Sequence, residues 1–445
     1  MKTKQKKPRR GMSLGTRIML LLTAGVLAAS AVFMAAIAGE TLRSRAHEAA
    51  QMVERAGLTL MSEAESALLR KEERERSVAQ SAAPAPRSLQ ATSEPAHRPP
   101  VTFTIAAAGA IHAPKPVLSG AKMENGEYDF SQVFSGLGDA LSGADLAIAT
   151  LETMTAGEKK GYDGTNAPSA LLDALRSLGV DVLSVGTEHA LDKGYDGLAV
   201  TISEMTARGI AHTGAAIEKA RDPGVVGSIE GVQVAVLGFT YGLSEEGEKA
   251  ASAGEQEAVA RLEMERMEQD IRMARAAGAE VVIVTPHWGT KNKQETPESV
   301  RKMALALAQA GADVILGTHP NVVQGTERLT VTRADGLEYE TVVCYSLGSL
   351  LSDARTEENT AGMVAQMAIT YDPQTRRVTL GSLACVPVYI AMQREDGENV
   401  YRVVDVENAQ AMSALTAQQQ EEAQNAARRV REITGQSRME DEGQG

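Results

Sequence analysis

The sequence predicts an α/β fold built on mainly parallel strands, and two observations carry that prediction. The first is a phrase used four times: "GADLAIATLE" from Gly143, "GVDVLSVGTEH" from Gly179, "GAEVVIVTPHW" from Gly278 and "GADVILGTHPN" from Gly311. Each copy runs through Gly, a small or branched residue, an acid, an apolar stretch and then a polar group. Gly after a helical stretch marks a helix end, where a left-handed residue closes the last turn, and an unbroken Val/Ile/Leu run is a strand buried on both faces. The second observation is that helical patterns separate these runs. In "TPESVRKMALALAQAG", Thr296 is placed to cap, Pro297 takes the first turn without losing a needed N–H, and Gly311 ends the helix. Strands alternating with helices imply right-handed crossovers and parallel pairing.

Taken in order, the chain begins with a basic head, residues 1–17, carrying seven Lys and Arg and no acid. Residues 18–39, "IMLLLTAGVLAASAVFMAAIAG", are uncharged and long enough to cross a bilayer as a helix. The basic residues ahead of it predict a cytoplasmic N-terminus and a single-pass anchor with the main body extracytoplasmic. The alternative is a cleaved signal peptide and a secreted product, for which "AIAGE" offers small residues. Residues 40–80 read as a charged, alanine-rich stalk helix, with Met52, Ala56, Leu60, Ala64 and Leu68 at helical spacing. Residues 81–100, rich in Pro, Ser and Ala, read as a disordered linker.

The folded domain is expected over 101–392, followed by a C-terminal extension over 393–445. In that extension 408–433 reads as a solvated helix and "MEDEGQG" as an acidic tail. Within the domain "GMVAQMAITYD", "RRVTLGSLACVPVYIAM" and "NVYRVVDV" read as antiparallel strands completing a second sheet. At 445 residues and 43% hydrophobic content the chain can bury a sizeable core. The formal charge is −13, so everything after the basic head holds about −20, which argues against a nucleic-acid groove. Cys344 and Cys385 each sit in an apolar run; a disulfide and two buried free thiols are both open, and the spacing fits no metal motif.

Open α/β sheets bind ligands beyond the carboxyl ends of their strands, and the polar groups that follow each recurrent Gly should converge there. They are Glu152, Glu188 with His189, His287, and His319. Imidazole and carboxylate together suit a divalent Mn, Fe or Zn ion. Asp192 reads as a helix cap, and Trp288 as a core residue beside His287.

From about Val101 to Met392 the chain resembles the CapA family, the poly-γ-glutamate capsule synthesis proteins. "SVGTEHALDKG" resembles the family's A-N-N-H-A-L-D-x-G block, and "TPHWG" its H-W-G block. "LGTHPNVVQ" resembles G-x-H-P-H, "YSLGSLLSD" resembles Y-S-L-G-N, and "AIATLETMT" is similar to the N-L-E block. The resemblance implies a four-layer αββα sandwich of the calcineurin-like metallophosphoesterase type. It implies metal-site positions at Glu152, His189, His287 and His319; with a metal bound there, His189 or His319 is expected to give a proton to the leaving group.

The sequence also departs from that pattern. Ala110 stands where the family has Asp, Thr150 and Glu188 replace Asn, Asn321 stands where a second His is usual, and Ser349 replaces another Asn. A methyl group cannot coordinate a cation, whereas Glu188 adds a carboxylate to the metal set. His112 and Asn321 are candidate additional site residues. The expected function is in capsule or poly-γ-glutamate synthesis, export or anchoring, with an anionic polymer, an envelope component or other capsule proteins as partners. Two forms of it remain: a metal-dependent hydrolase of phosphoester or γ-glutamyl amide bonds, and an inactive binding or scaffold module that has lost its two-metal site.

Overall fold

A computed structural model describes residues 98–217, 225–353, 355–395 and 397–436. The expected basic head, membrane anchor, stalk, almost all of the linker and the acidic tail lie outside the described residues. Among the described residues no helix is long and apolar enough to cross a membrane.

Fifteen strands are described in chain order: β1 (Val101–Ile111), β2 (Leu146–Leu151), β3 (Val182–Ser184), β4 (Ala211–Thr213), β5 (Val225–Ile229), β6 (Val232–Thr240), β7 (Val281–His287), β8 (Val314–Leu316), β9 (Thr326–Thr332), β10 (Glu338–Cys344), β11 (Ser349–Leu351), β12 (Ala361–Asp372), β13 (Arg377–Leu380), β14 (Ala384–Glu395) and β15 (Glu398–Asp405). The longer helices are α1 (Ala170–Ser177), α2 (Gly194–Ala207), α3 (Met264–Ala276), α4 (Glu298–Ala310) and α5 (Ala417–Thr434). One sheet runs β15-β14-β12-β1-β2-β3-β4, with β11 beside β1 and β13 beside β12; the other runs β5-β6-β7-β8-β10-β9. All four recurrent phrases become parallel strands, β2 and β3 in the first sheet and β7 and β8 in the second.

The two sheets face each other across an apolar layer in which Phe103, Ile105, Ile148 and Val182 meet Val234, Val236, Ile283 and Val314. On the outer side of the first sheet, Ala147, Ala149 and Leu183 pack against Leu172 and Leu175 of α1 and Leu198 and Met205 of α2. On the outer side of the second, Leu237, Val282 and Val284 pack against Met267 and Ile271 of α3 and Ala304 and Leu307 of α4. The order of layers is therefore helices, sheet, sheet, helices. Each large aliphatic side chain buried in them is worth about 1.5–3 kcal/mol.

The acid in each recurrent phrase has a structural use. Asp145 accepts from the Thr104 N–H at 2.7 Å, Asp181 from Ala147 at 3.0 Å, Glu280 from Gln233 at 2.9 Å and Asp313 from Val282 at 2.8 Å. The same four residues donate their own N–H groups to the carbonyls of Thr104, Ala147, Gln233 and Val282. Each acid therefore makes a two-point contact with the adjacent strand just before its own strand begins. A one-residue slip would send every side chain to the other face, so this contact fixes which residues reach the far edge.

Five expectations are corrected. The strands after Tyr345 do not complete a second sheet: β12 pairs antiparallel with β1 from Val101 to Ala108, and β14 and β15 follow it outward, so they extend the first sheet. The boundary at 392/393 falls inside β14, and the helix expected to be solvated is α5, which buries Ala423, Ala426 and Val430 against the inner layer. Gly179, Gly278 and Gly311 do take positive φ, but Gly143 does not, because consecutive turns rather than a helix precede it. Thr296 does not cap α4; its hydroxyl, buried, turns to Gln324 Oε1 at 3.3 Å, and Pro297 takes the N-cap position. Cys344 and Cys385 are both buried free thiols.

At the carboxyl edge the sheets close to backbone contact. A Cβ on Gly238 of β6 would lie 2.7 Å from Ser184 Oγ and 2.9 Å from the Gly214 Cα, so only hydrogen fits. Thr285 Oγ1 of β7 reaches Ser184 Oγ of β3 at 3.1 Å, tying the two sheets directly. This pinch brings the strand ends of both sheets to one place.

Candidate metal centre

Beyond that pinch Glu188, His287 and His319 come together, and one ligand atom from each lies within 4.8 Å of the others. His287 ends β7, Glu188 follows β3 after a short turn, and His319 follows β8, so both sheets contribute. All three residues are buried. His319 Nδ1 lies 3.3 Å from Glu188 Oε1 and 3.3 Å from His287 Nε2, and His287 Nε2 also hydrogen-bonds Glu188 Oε2. Three lone-pair donors held this close need protons or a cation between them.

Glu152 extends the cluster. Its Oε1 lies 3.6 Å from His287 Nε2, is buried and has no hydrogen-bond partner. A buried carboxylate oxygen left unpaired is costly, and a cation would satisfy it. The far side of the His287 ring is fixed by Thr318 Oγ1, 3.0 Å from Nδ1, which leaves Nε2 aimed at the carboxylates. Burial alone would raise the Glu188 carboxyl, but the hydrogen bonds and charges of His287 and His319 outweigh it and hold it well below the usual carboxylate range.

His189 stands one step out. Its Nε2 is 3.7 Å from Glu188 Oε1, and its Nδ1 donates to Asp192 Oδ2 at 2.7 Å. Burial lowers the His189 pKa, yet Asp192, Glu188 and Glu152 together raise it above the ordinary imidazole value. Asp192 is thus no helix cap: it orients His189 and accepts a second hydrogen bond from the Ser244 hydroxyl, which the Gly247 N–H holds in turn. His112 stacks parallel to His189 with ring centroids 6.1 Å apart, and burial lowers its pKa, so it reaches the site's edge rather than the trio. Asn321 takes a positive φ of 60°, and its carbonyl accepts from Asn359 Nδ2 at 3.3 Å.

The backbone at His319 is unusual, with φ at +97°, where a Cβ is strained. Neighbouring Gly317 leaves no room for adjustment, because a Cβ there would lie 2.1 Å from the Tyr345 carbonyl. Trp288 is buried in the core beneath this loop and donates from Nε1 to the same carbonyl at 2.9 Å.

Two residues at the site were missed by sequence reasoning. Lys291 places Nζ 2.9 Å from Glu188 Oε1, and the half-exposed Tyr241 ring lies 4.5 Å from the His319 ring. The signal for Lys291 was its position four residues after His287 in "HWGTK"; the Asp192 signal was the three-residue spacing from His189. For Tyr241 no local pattern pointed to the site.

The donor set fits one divalent ion, held by Glu188, His287 and His319 with Glu152 beside them. Among the described residues no second group of such donors stands beside it. Ala110, 1% exposed, and Thr150, 3% exposed, occupy the adjacent strand ends, and neither offers an anionic ligand.

Residues 104–354, more than half of the chain, match the family model described as bacterial capsule synthesis protein PGA_cap. The chain belongs to this bacterial capsule synthesis family. Among curated relatives in the family, the PGA biosynthesis protein CapA of Bacillus subtilis is 29% identical over 181 residues, 40% of this chain and 44% of that one. The capsule biosynthesis protein CapA of Bacillus anthracis is 26% identical over 238 residues, 51% of this chain and 55% of that one. The chain thus spans about half the length of the curated relatives it matches. Among solved structures, a calcineurin-like phosphoesterase, YfkN from Bacillus subtilis, covers 75% of this chain and 98% of its own at 14% identity and a TM-score of 0.36. A phosphatase of Mycoplasma pneumoniae covers 65% and 94% at 11% identity and a TM-score of 0.35.

Proposed function

We propose that this chain acts in capsule or poly-γ-glutamate synthesis, export or anchoring as a metal-dependent hydrolase with one divalent ion. The observation that carries the reading is the convergence of Glu188, His287 and His319 from both sheets, with the unpaired Glu152 oxygen beside them. In this reading the helix–sheet–sheet–helix body is the metallophosphoesterase-type αββα sandwich, set outside the membrane by residues 18–39, or released by cleavage after them. Its partners are an anionic polymer or envelope component and other capsule synthesis proteins.

A divalent Mn, Fe or Zn ion bound there would supply Lewis-acid polarisation of a phosphoester or γ-glutamyl amide. The chain's own residues do the rest. His189, with Nδ1 fixed on Asp192 and its pKa raised, carries a proton at Nε2 that it can deliver to a leaving group. His319, buried and 3.3 Å from Glu188, is held by its loop as ligand or proton carrier. Tyr241, exposed over His319, forms the mouth where substrate enters.

The second reading, a binding or scaffold module, is favoured by Ala110 and Thr150, which remove the ligands for a second ion. Metal analysis of the full-length protein after reconstitution separates the two. Stoichiometric metal that is lost in a His287→Ala plus His319→Ala variant, with hydrolysis of a phosphodiester or γ-glutamyl substrate, supports the enzyme. No bound metal and no hydrolysis of either substrate leaves the binding module.

A further inference from the structure

The metal centre already has a positive charge of its own. Glu188, with its side chain 3% exposed, receives the Lys291 ammonium on Oε1 at 2.9 Å, on the same oxygen that faces His319 Nδ1. Lys291 itself is 46% exposed at the side chain, so its head rests on a buried carboxylate while its stem lies at the surface. It comes from the turn after β7, four residues from His287, and that short tether keeps it close to the trio. No ligand for a second cation stands at Ala110 or Thr150.

We propose that Lys291 is a built-in counter-cation that competes with the divalent ion for Glu188, so that metal loading requires its ammonium to swing out to solvent. The inference rests on the metal-centre reading above. A Lys ammonium and a divalent ion cannot both lie against one carboxylate oxygen without strong repulsion, because like charges brought this close outside bulk water repel steeply, and the ion carries two of them. A long, flexible, half-exposed side chain is the kind that can leave: its stem needs only rotamer changes and its head regains hydration. The exchange is balanced in plain terms, with one ammonium moving from Glu188 to water as one hydrated cation enters. Lys291 thus neutralises Glu188 while the site is empty and sets a threshold of metal concentration for loading.

The test uses the full-length protein stripped with chelator and titrated with MnCl2, with affinity read by calorimetry and stoichiometry by elemental analysis. Lys291→Met and Lys291→Gln should each tighten Mn binding by about tenfold or more, while Lys293→Met, in the same loop, should leave it unchanged. A second readout is thermal. Without metal, Lys291→Met should melt below the parent because Glu188 loses its ammonium contact, and saturating Mn should abolish the deficit. Binding unchanged within twofold, or weakened, in both Lys291 variants overturns the inference while the metal-centre reading stands. Failure of the parent and of both variants to bind at millimolar Mn overturns the two together.

Discussion

Asp313 opens the strand that leads to His319, and its removal should show how firmly strand register is tied to the site. The carboxylate is 1% exposed and accepts from Arg275 Nη2 at 2.6 Å, Arg333 Nη2 at 3.0 Å and the Val282 N–H at 2.8 Å. Charge-assisted hydrogen bonds contribute about 1.5–3 kcal/mol each, so the gross ceiling for Asp313→Ala is about 5–9 kcal/mol. Desolvation of the carboxylate offsets part of that, and breaking a buried ion pair typically costs about 3–5 kcal/mol. The lower end applies here, because both arginines keep neutral partners: Arg275 retains the Glu280 and Gly311 carbonyls, and Arg333 retains the Ala312 carbonyl. What is orphaned is the Val282 N–H. Asp313→Ala should therefore lose about 3 kcal/mol in urea unfolding followed by circular dichroism, with an unchanged slope. Asp313→Asn, which keeps an oxygen for Val282, should lose less, and Asp145→Ala, at the exposed end of the same device, less than either. A loss under about 1 kcal/mol for Asp313→Ala would refute the role given to the recurrent acid.

Three further outcomes follow from the site. At His319, where φ is +97°, His319→Gly should be more stable than His319→Ala by about 1 kcal/mol in the metal-free protein, the reverse of the usual order, as read by urea unfolding; an ordinary Ala-over-Gly order would contradict the strain. Glu188→Gln removes the anionic ligand shared by both imidazoles and should weaken divalent binding by at least tenfold in calorimetry, whereas Glu188→Asp should recover part of it. Asp192→Asn should leave metal stoichiometry unchanged yet lower kcat for hydrolysis with little change in KM, since its carboxylate orients His189 without touching the trio; a matching loss of metal would show that it serves the ligands instead.

The candidate site was legible because strand termini are encoded locally. A Gly, an acid and an apolar run announce each strand, and the residue eight to ten positions on must lie at the carboxyl edge. Glu152, Glu188, His287 and His319 were found that way, while Ala110 and Thr150 were marked as losses by their departure from the CapA family pattern. Asp192 was misread because the same short-range spacing serves a helix cap and a hydrogen bond to His189, and only the position of Ser244, 52 residues away, shows which one the fold uses. Lys291 and Tyr241 carry no periodic signal. The antiparallel strands were recognised as strands, but their sheet was misassigned, since alternation tells which face is buried and not which edge is free.

By itself, then, the sequence determined the repeated helix–strand units, the direction of their strands and the identity of the groups at their ends, because these follow from residue-level sterics and hydrophobic periodicity. Tertiary structure alone decided that the two facing sheets close on each other at glycines near the carboxyl ends of their strands, that three of those groups fall within 4.8 Å of one another, and that an ammonium from a neighbouring loop sits on the shared carboxylate. Those outcomes depend on contacts between residues about a hundred positions apart, such as Glu188 with His287 and Lys291. Such contacts are set by how the layers pack, which no local pattern records.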